Sequence, residues 1–167
     1  MFQENDIVMY ETTGVCRVQK IGYPDFLKER KRQYYFLEPL HSACDHIFVP
    51  VDGGAKMRKI LTKEQAKKLV AEISAMEATW IEDDKNRETV YKEAVQSFDC
   101  RELLKIIKCL YLKITERKNE GKKPLQMDER YMAIAEDYLF GELAMSLDIP
   151  IECVREHIAE RIQEAAN

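Results

Sequence analysis

Apolar positions change their spacing once along this chain, near Thr62. Before it, short apolar alternations are broken by turn residues. Ile7-Val8-Met9-Tyr10 leads to Thr12-Thr13-Gly14, and Val15-Cys16-Arg17-Val18-Gln19-Lys20-Ile21 runs to Gly22-Tyr23-Pro24. Gln33-Tyr34-Tyr35-Phe36-Leu37-Glu38, His46-Ile47-Phe48-Val49-Pro50-Val51 and Met57-Arg58-Lys59-Ile60 follow. Aromatic and β-branched enrichment at these lengths predicts strands. Five short strands are satisfied by a small, strongly curved barrel, whose closure limits exposed edges. Gly14 suits a tight turn and Pro50 a strand edge or end.

From Thr62 the period becomes helical. Thr62-Lys63-Glu64-Gln65 fits a capping box, and Ala66, Leu69, Val70, Ile73 and Met76 mark one helix face. A second helix is expected from about Asp84 to Ser97, with Val90, Ala94 and Tyr91 inward. Asp99-Cys100-Arg101-Glu102 resembles another cap, opening a helix with Leu103, Ile106, Ile107, Leu110, Tyr111 and Ile114 on one face. Gly121-Lys122-Lys123-Pro124 ends it. A fourth helix spans about Asp128 to Ser146, and a short terminal helix after Pro150 contains Val154, Ile158 and Ile162. None is apolar all round, so these helices must pack as a compact bundle. The expected class is α+β, with a small five-stranded β-barrel domain over 1–61 and a C-terminal helical bundle over 62–167.

Composition narrows the function classes. The 167 residues carry a net charge of -4 and are 34% charged, which suits a folded, soluble protein and disfavours indiscriminate coating of nucleic acid. No apolar run is long enough to span a membrane, and Met1-Phe2-Gln3-Glu4-Asn5-Asp6 lacks the order of a signal peptide. Cys16, Cys44, Cys100, Cys109 and Cys153 are dispersed, as expected for reduced cytoplasmic thiols. His41, Cys44, Asp45 and His46 match no ordinary zinc spacing. No phosphate-cradling glycine loop or nucleophile elbow is present, so neither an enzyme nor a cofactor or metal is expected.

Two features remain. Trp80, the only tryptophan, sits in a polar stretch near the change of period, where its ring either locks helices together or forms an apolar wedge for a partner. The third helix and its exit loop gather Arg101, Lys105, Lys108, Lys113, Arg117, Lys118, Lys122 and Lys123, while the last two helices are mainly acidic. That basic run is either a solvated face or a phosphate-contacting one.

The order and intervals of several segments resemble the CarD/CdnL family of bacterial transcription regulators. In the first half they are Asp6–Tyr10, Gly14–Ile21, Gln33–Leu37, Ile47–Val51 and Arg58–Ile60. In the second they are Trp80, Arg87, Tyr91, Phe98-Asp99, Leu103–Tyr111, Glu129–Ala135 and Glu142–Ala144. The first half is also similar to the polymerase-interacting domain of a transcription-repair coupling factor. The resemblance implies a Tudor-like barrel that docks on the β subunit of RNA polymerase by strand pairing, through Tyr35, Ile47, Phe48, Val49, Pro50 and Arg58. It further implies a helical domain that stabilises the open promoter complex. Trp80 would wedge into the minor groove at the upstream bubble edge, and Lys85, Arg87, Lys122 and Lys123 would contact phosphates. Such a protein is cytoplasmic and promoter-associated, with no obligate oligomer. The alternative is a polymerase-binding interaction module that never touches DNA. Two departures stand out: Glu82-Asp83-Asp84 replaces basic residues found after the tryptophan in many relatives, and Pro24 and Phe48 occupy positions where some relatives carry arginine.

Overall fold

The computed structural model describes residues 1–11 and 13–166, and Thr12 of the expected Thr12-Thr13-Gly14 turn lies outside the described residues. Two compact units meet in sequence between Ile60 and Leu61. The first is one antiparallel sheet of β1 (Ile7–Tyr10), β2 (Gly14–Gly22), β3 (Tyr34–Pro39), β4 (Ile47–Pro50) and β5 (Met57–Lys59). Gly14 has φ of +93°, a conformation that opens the β1–β2 turn and that a side chain would strain.

The strand order is β4-β3-β2-β1-β5, and the expected barrel is not formed. Among the described residues, β4 pairs only with β3 and β5 only with β1, so the sheet stays open. Closure requires strands long enough to tilt and stagger around an axis, and the two outer strands have four and three residues. Short, charged outer strands are another way of managing edges, and β5 uses it. Its Lys59 ammonium lies 3.4 Å from the Asp6 carboxylate.

Alternation places Val8, Cys16, Val18, Tyr35, Leu37 and Val49 on one buried face. A register shift between Val18 and Lys20 bulges β2 at Gln19 and re-phases its second half against β3. Cys16 is fully buried, and burial pushes its thiol up to about 11 from an ordinary 9.0. An unfolded thiol therefore ionises first, so the stability contributed by this site is complete below about pH 9 and is lost as pH rises through about 11. Maleimide added at pH 7 should label the exposed Cys44 and Cys153 and reach Cys16 only after denaturant is added. Mass spectrometry of the labelled chain, and urea midpoints measured from pH 8 to 11, check both expectations.

The second unit holds α1 (Lys63–Ala71), a 3₁₀ turn (Glu72–Ala75), α2 (Asp84–Gln96), α3 (Cys100–Asn119), α4 (Gln126–Leu147) and α5 (Ile151–Ala166). The capping box is present: the Gln65 N–H donates to the Thr62 hydroxyl at 3.2 Å, and the Thr62 N–H donates to the Gln65 side chain at 2.9 Å. Asp99 caps α3 by accepting from the Arg101 and Glu102 N–H groups. Asp148 takes the left-handed conformation that stops α4 ahead of Pro150.

Three helix expectations shift. The first helix gives way to the 3₁₀ turn after Ala71, and the terminal helix is a full 16 residues rather than short. Val90, expected inward, is 40% exposed, while Tyr91 and Ala94 are buried as expected and Arg87 is buried with them. Helix α3 is the spine of the bundle because it is apolar on two sides. Leu103, Leu104 and Ile107 join the main core with Leu139, Leu143, Ile158 and Ile162, while Ile106 and Leu110 pack with Tyr91 and Tyr131.

Candidate functional site

The β4 edge of the sheet is open, and its hydrogen-bonding phase follows from one contact. The Val51 N–H donates to the Gln33 carbonyl at 3.0 Å, so Gln33 and Val51 form a hydrogen-bonded antiparallel pair. Stepping by two through the register makes Tyr35–Val49 and Leu37–Ile47 hydrogen-bonded pairs as well. Phe48, opposite Phe36, is a non-hydrogen-bonded pair, so its own N–H and C=O point away from β3 toward the free edge. Pro50 has no N–H, and its carbonyl accepts from Gly53 at 3.2 Å, which ends the usable edge there.

The same phase puts the Phe48 ring on the outer face. It is 37% exposed and lies edge-on to Phe36 at 4.9 Å and to Phe26 at 5.0 Å. Phe26, from the β2–β3 loop, is 63% exposed, and the Lys20 ammonium sits 5.6 Å from the Phe36 ring. The edge thus presents the outward Phe48 backbone groups beside a partly exposed aromatic cluster.

The residues expected at this dock divide. Tyr35 and Val49 are core residues, 4% and 2% exposed, and the Tyr35 hydroxyl accepts from the Phe2 N–H at 3.2 Å. Ile47 is half-buried against the same core, leaving Phe48 as the presented side chain. Arg58 stands on β5, at the opposite end of the strand order from Phe48. Sequence reasoning did not place Phe26 and Phe36 with Phe48, although the alternation in Tyr34-Tyr35-Phe36 put Phe36 on the face opposite Tyr35.

In the helical unit, Trp80 belongs to the connection between the 3₁₀ turn and α2, and in sequence it lies beyond the boundary between Ile60 and Leu61. Lys108 fixes the start of that connection. Its ammonium is buried and donates to the carbonyls of Ile73 and Met76, each at 2.7 Å. Asp83 caps α2 through the Lys85 N–H, so the acidic run after Trp80 serves a helix start.

One turn later Arg87 turns inward and is only 2% exposed. It donates to Asp128 at 3.3 Å, to Asp84 at 2.8 Å and to the Ile81 carbonyl at 2.9 Å. Tyr91 donates to the same Asp128 oxygen at 3.2 Å, and the second oxygen, Oδ2, has no hydrogen-bond partner among the described residues. Burial works against the Arg87 charge, but the Asp84 hydrogen bond and the Asp128 carboxylate hold its pKa above the ordinary value. Burial, then the Asp128 charge, pushes the Tyr91 phenol and the Cys109 thiol upward.

Trp80 is half-buried, with the Arg87 guanidinium 4.3 Å and the Lys113 ammonium 4.8 Å from its ring. Both contacts are cation–π interactions within the unit. Beside this connection, Ile81, Val90, Tyr91, Ile106 and Cys109 line part of a cleft of about 270 Å³. Of the residues expected at phosphate, Lys85 and Lys123 are exposed, Lys122 is exposed and paired with Glu120 at 3.2 Å, and Arg87 is internal. Part of the wider basic run is engaged within the unit: Arg101 pairs with Glu72, Lys105 with Glu102 and Lys113 with Glu116, and Lys108 is buried.

Among the described residues no cluster of His, Cys, Asp or Glu could hold a metal ion, and no helix is long and apolar enough to cross a membrane. A family model described as the CarD-like/TRCF RID domain matches residues 2–61, which spans the whole sheet unit and stops where the helical unit begins. No curated protein matches the chain.

Proposed function

We propose that this chain is a polymerase-binding interaction module whose sheet unit docks on the β subunit of RNA polymerase by adding a strand at β4. The observation that carries this reading is the match of residues 2–61 to the CarD-like/TRCF RID domain, together with the outward Phe48 N–H and C=O on an otherwise apolar edge. Strand addition gives affinity through backbone hydrogen bonds, and side chains at alternate positions set the preference for a partner. Here the hydrogen-bonding edge is short, so the Phe26–Phe36–Phe48 cluster supplies the apolar contact area. The helical unit serves this function as a second interaction body, and no catalytic step is assigned to it.

A fuller reading adds DNA: Trp80 as a wedge at the upstream bubble edge, with Lys85, Lys122 and Lys123 on phosphates. In its favour is the partial exposure of the Trp80 ring. Against it, Arg87 is internal, Lys122 already has an acidic partner and the ring is engaged by two cations of its own unit. The module without direct DNA contact is therefore the better-supported reading.

Full-length chain and its Trp80→Ala variant, titrated onto the isolated polymerase β subunit and assayed for open-complex lifetime on a promoter, separate the two. Equal β-subunit affinity with unchanged lifetime is the expected result for both proteins. A variant that binds the β subunit normally yet shortens the lifetime about threefold or more establishes DNA contact as the operative function. Failure of the parent chain to bind the β subunit overturns the docking itself.

A further inference from the structure

Several cations of the helical unit have an acidic partner: Arg130 meets Glu88 at 3.0 Å and Arg155 meets Glu136 at 3.5 Å, and on α3 Lys105 meets Glu102 and Lys113 meets Glu116. Lys63, Lys67 and Arg161 do not. Among the described residues none of the three has an ion pair, yet all line one cleft of about 610 Å³ between α1 and α5. On α1, Lys63, Lys67 and Val70 follow one another at helical steps. On α5, Cys153, His157 and Arg161 do the same. Val70, Leu147 and Ile149 supply apolar surface, and no acidic residue lines the cleft.

Lys63 is the first residue of α1, where a cation opposes the positive end of the helix. Glu64 in the same turn favours that end, but among the described residues Lys63 itself has no ion pair. A concave surface with an apolar floor and an uncompensated cationic rim fits one kind of occupant. We propose that the α1–α5 cleft docks an acidic amphipathic helix of a partner protein, whose carboxylates meet Lys63, Lys67 and Arg161 and whose aliphatic side chains reach Val70, Leu147 and Ile149.

Charge complementarity selects an acidic occupant, and the floor selects among acidic ones. Duplex DNA brings phosphates but no aliphatic ridge to fill the floor. A second copy of this chain offers the exposed stripe Glu152, Glu156, Glu160 and Glu164 of α5, which is acidic but carries no aliphatic side chain between its glutamates at that spacing. The cleft lies wholly within the helical unit and is independent of the β4 edge, so this surface stands or falls apart from the polymerase docking.

A displayed library of random peptides, selected on the immobilised full-length chain, tests the assignment without presuming a sequence. Enriched peptides should be acidic, with aliphatic residues three or four positions apart. As labelled synthetic peptides they should lose about tenfold or more in affinity for the Lys67→Glu/Arg161→Glu variant, read by fluorescence anisotropy. A bulky maleimide placed on Cys153 in a Cys44→Ser background should block the same peptides. This adduct also serves as the decisive readout if circular dichroism shows the double variant unfolded. No enrichment, enrichment of neutral or basic peptides, or binding indifferent to both changes overturns the proposal. Displacement of the peptides by duplex DNA at lower concentration reassigns the cleft to nucleic acid. Self-association of the parent chain that the double variant abolishes reassigns it to a second copy, and either result also overturns the proposal.

Discussion

Replacing Asp128 by alanine should cost the helical unit about 3–5 kcal/mol, because it leaves the Arg87 charge buried without its internal counter-ion. Asp128 is fully buried and Arg87 nearly so, while the remaining carboxylate partner, Asp84, is exposed and screened by solvent. The variant also strands the Tyr91 hydroxyl, which donates to Asp128 at 3.2 Å. With a urea dependence of about 1–3 kcal/mol per molar, the unfolding midpoint should fall by roughly 2 M. Trp80 reports this transition directly: it is the sole indole, it belongs to the helical unit, and its ring lies 4.3 Å from Arg87. The paired change Arg87→Met/Asp128→Leu removes both charges and should recover most of the loss. A midpoint for Asp128→Ala within about 0.3 M of the parent would show that Arg87 finds water or another partner at little cost.

The second large effect concerns docking. Phe48→Asp should weaken binding to the polymerase β subunit by at least about thirtyfold, equivalent to about 2 kcal/mol or more. The ring is the presented side chain at the only position of β4 whose backbone donor and acceptor both point outward, so a charge there confronts an incoming strand from either direction. Because Phe48 is already 37% exposed, the change should leave the fold nearly unaltered. Arg58→Ala, on the strand at the other end of the sheet order, should change affinity by less than about threefold. Calorimetric titration of the β subunit with the three proteins decides the matter. Equal losses at Phe48 and Arg58 would mean that the partner does not use the β4 edge in this way.

The strands were legible because their alternations are short and bounded by glycine and proline, and the capping box at Thr62 marked where the period changes. The closed barrel was not correct. Closure was inferred from the need to hide edges, but the chain meets that need by brevity and charge, features that a strand count does not distinguish from closure. On α2, Tyr91 and Ala94 were placed inward correctly, and Val90 was added to them because it is apolar. The observed stripe Arg87, Tyr91, Ala94 follows the same helical spacing with an arginine at its head. Arginine at an inward position is allowed only when something buried neutralises it, and Asp128 lies 41 positions away in sequence. For the same reason, spacing alone left the basic run on α3 open between a solvated face and a phosphate-contacting one, since its partners Glu72, Glu102 and Glu116 and the carbonyls around Lys108 include groups distant in sequence. The expected dock took Ile47, Phe48, Val49 and Pro50 together with Tyr35 and Arg58, whereas alternation divides Ile47-Phe48-Val49 between two faces.

The two rims of the sheet are unequal. Outer strand β5 spans three residues and holds a lysine–aspartate pair, so it offers a poor template for a further strand. Under the proposed docking, a guest strand adds at β4 while β5 offers a copy no comparable template, so head-to-tail stacking of copies through the two rims is disfavoured.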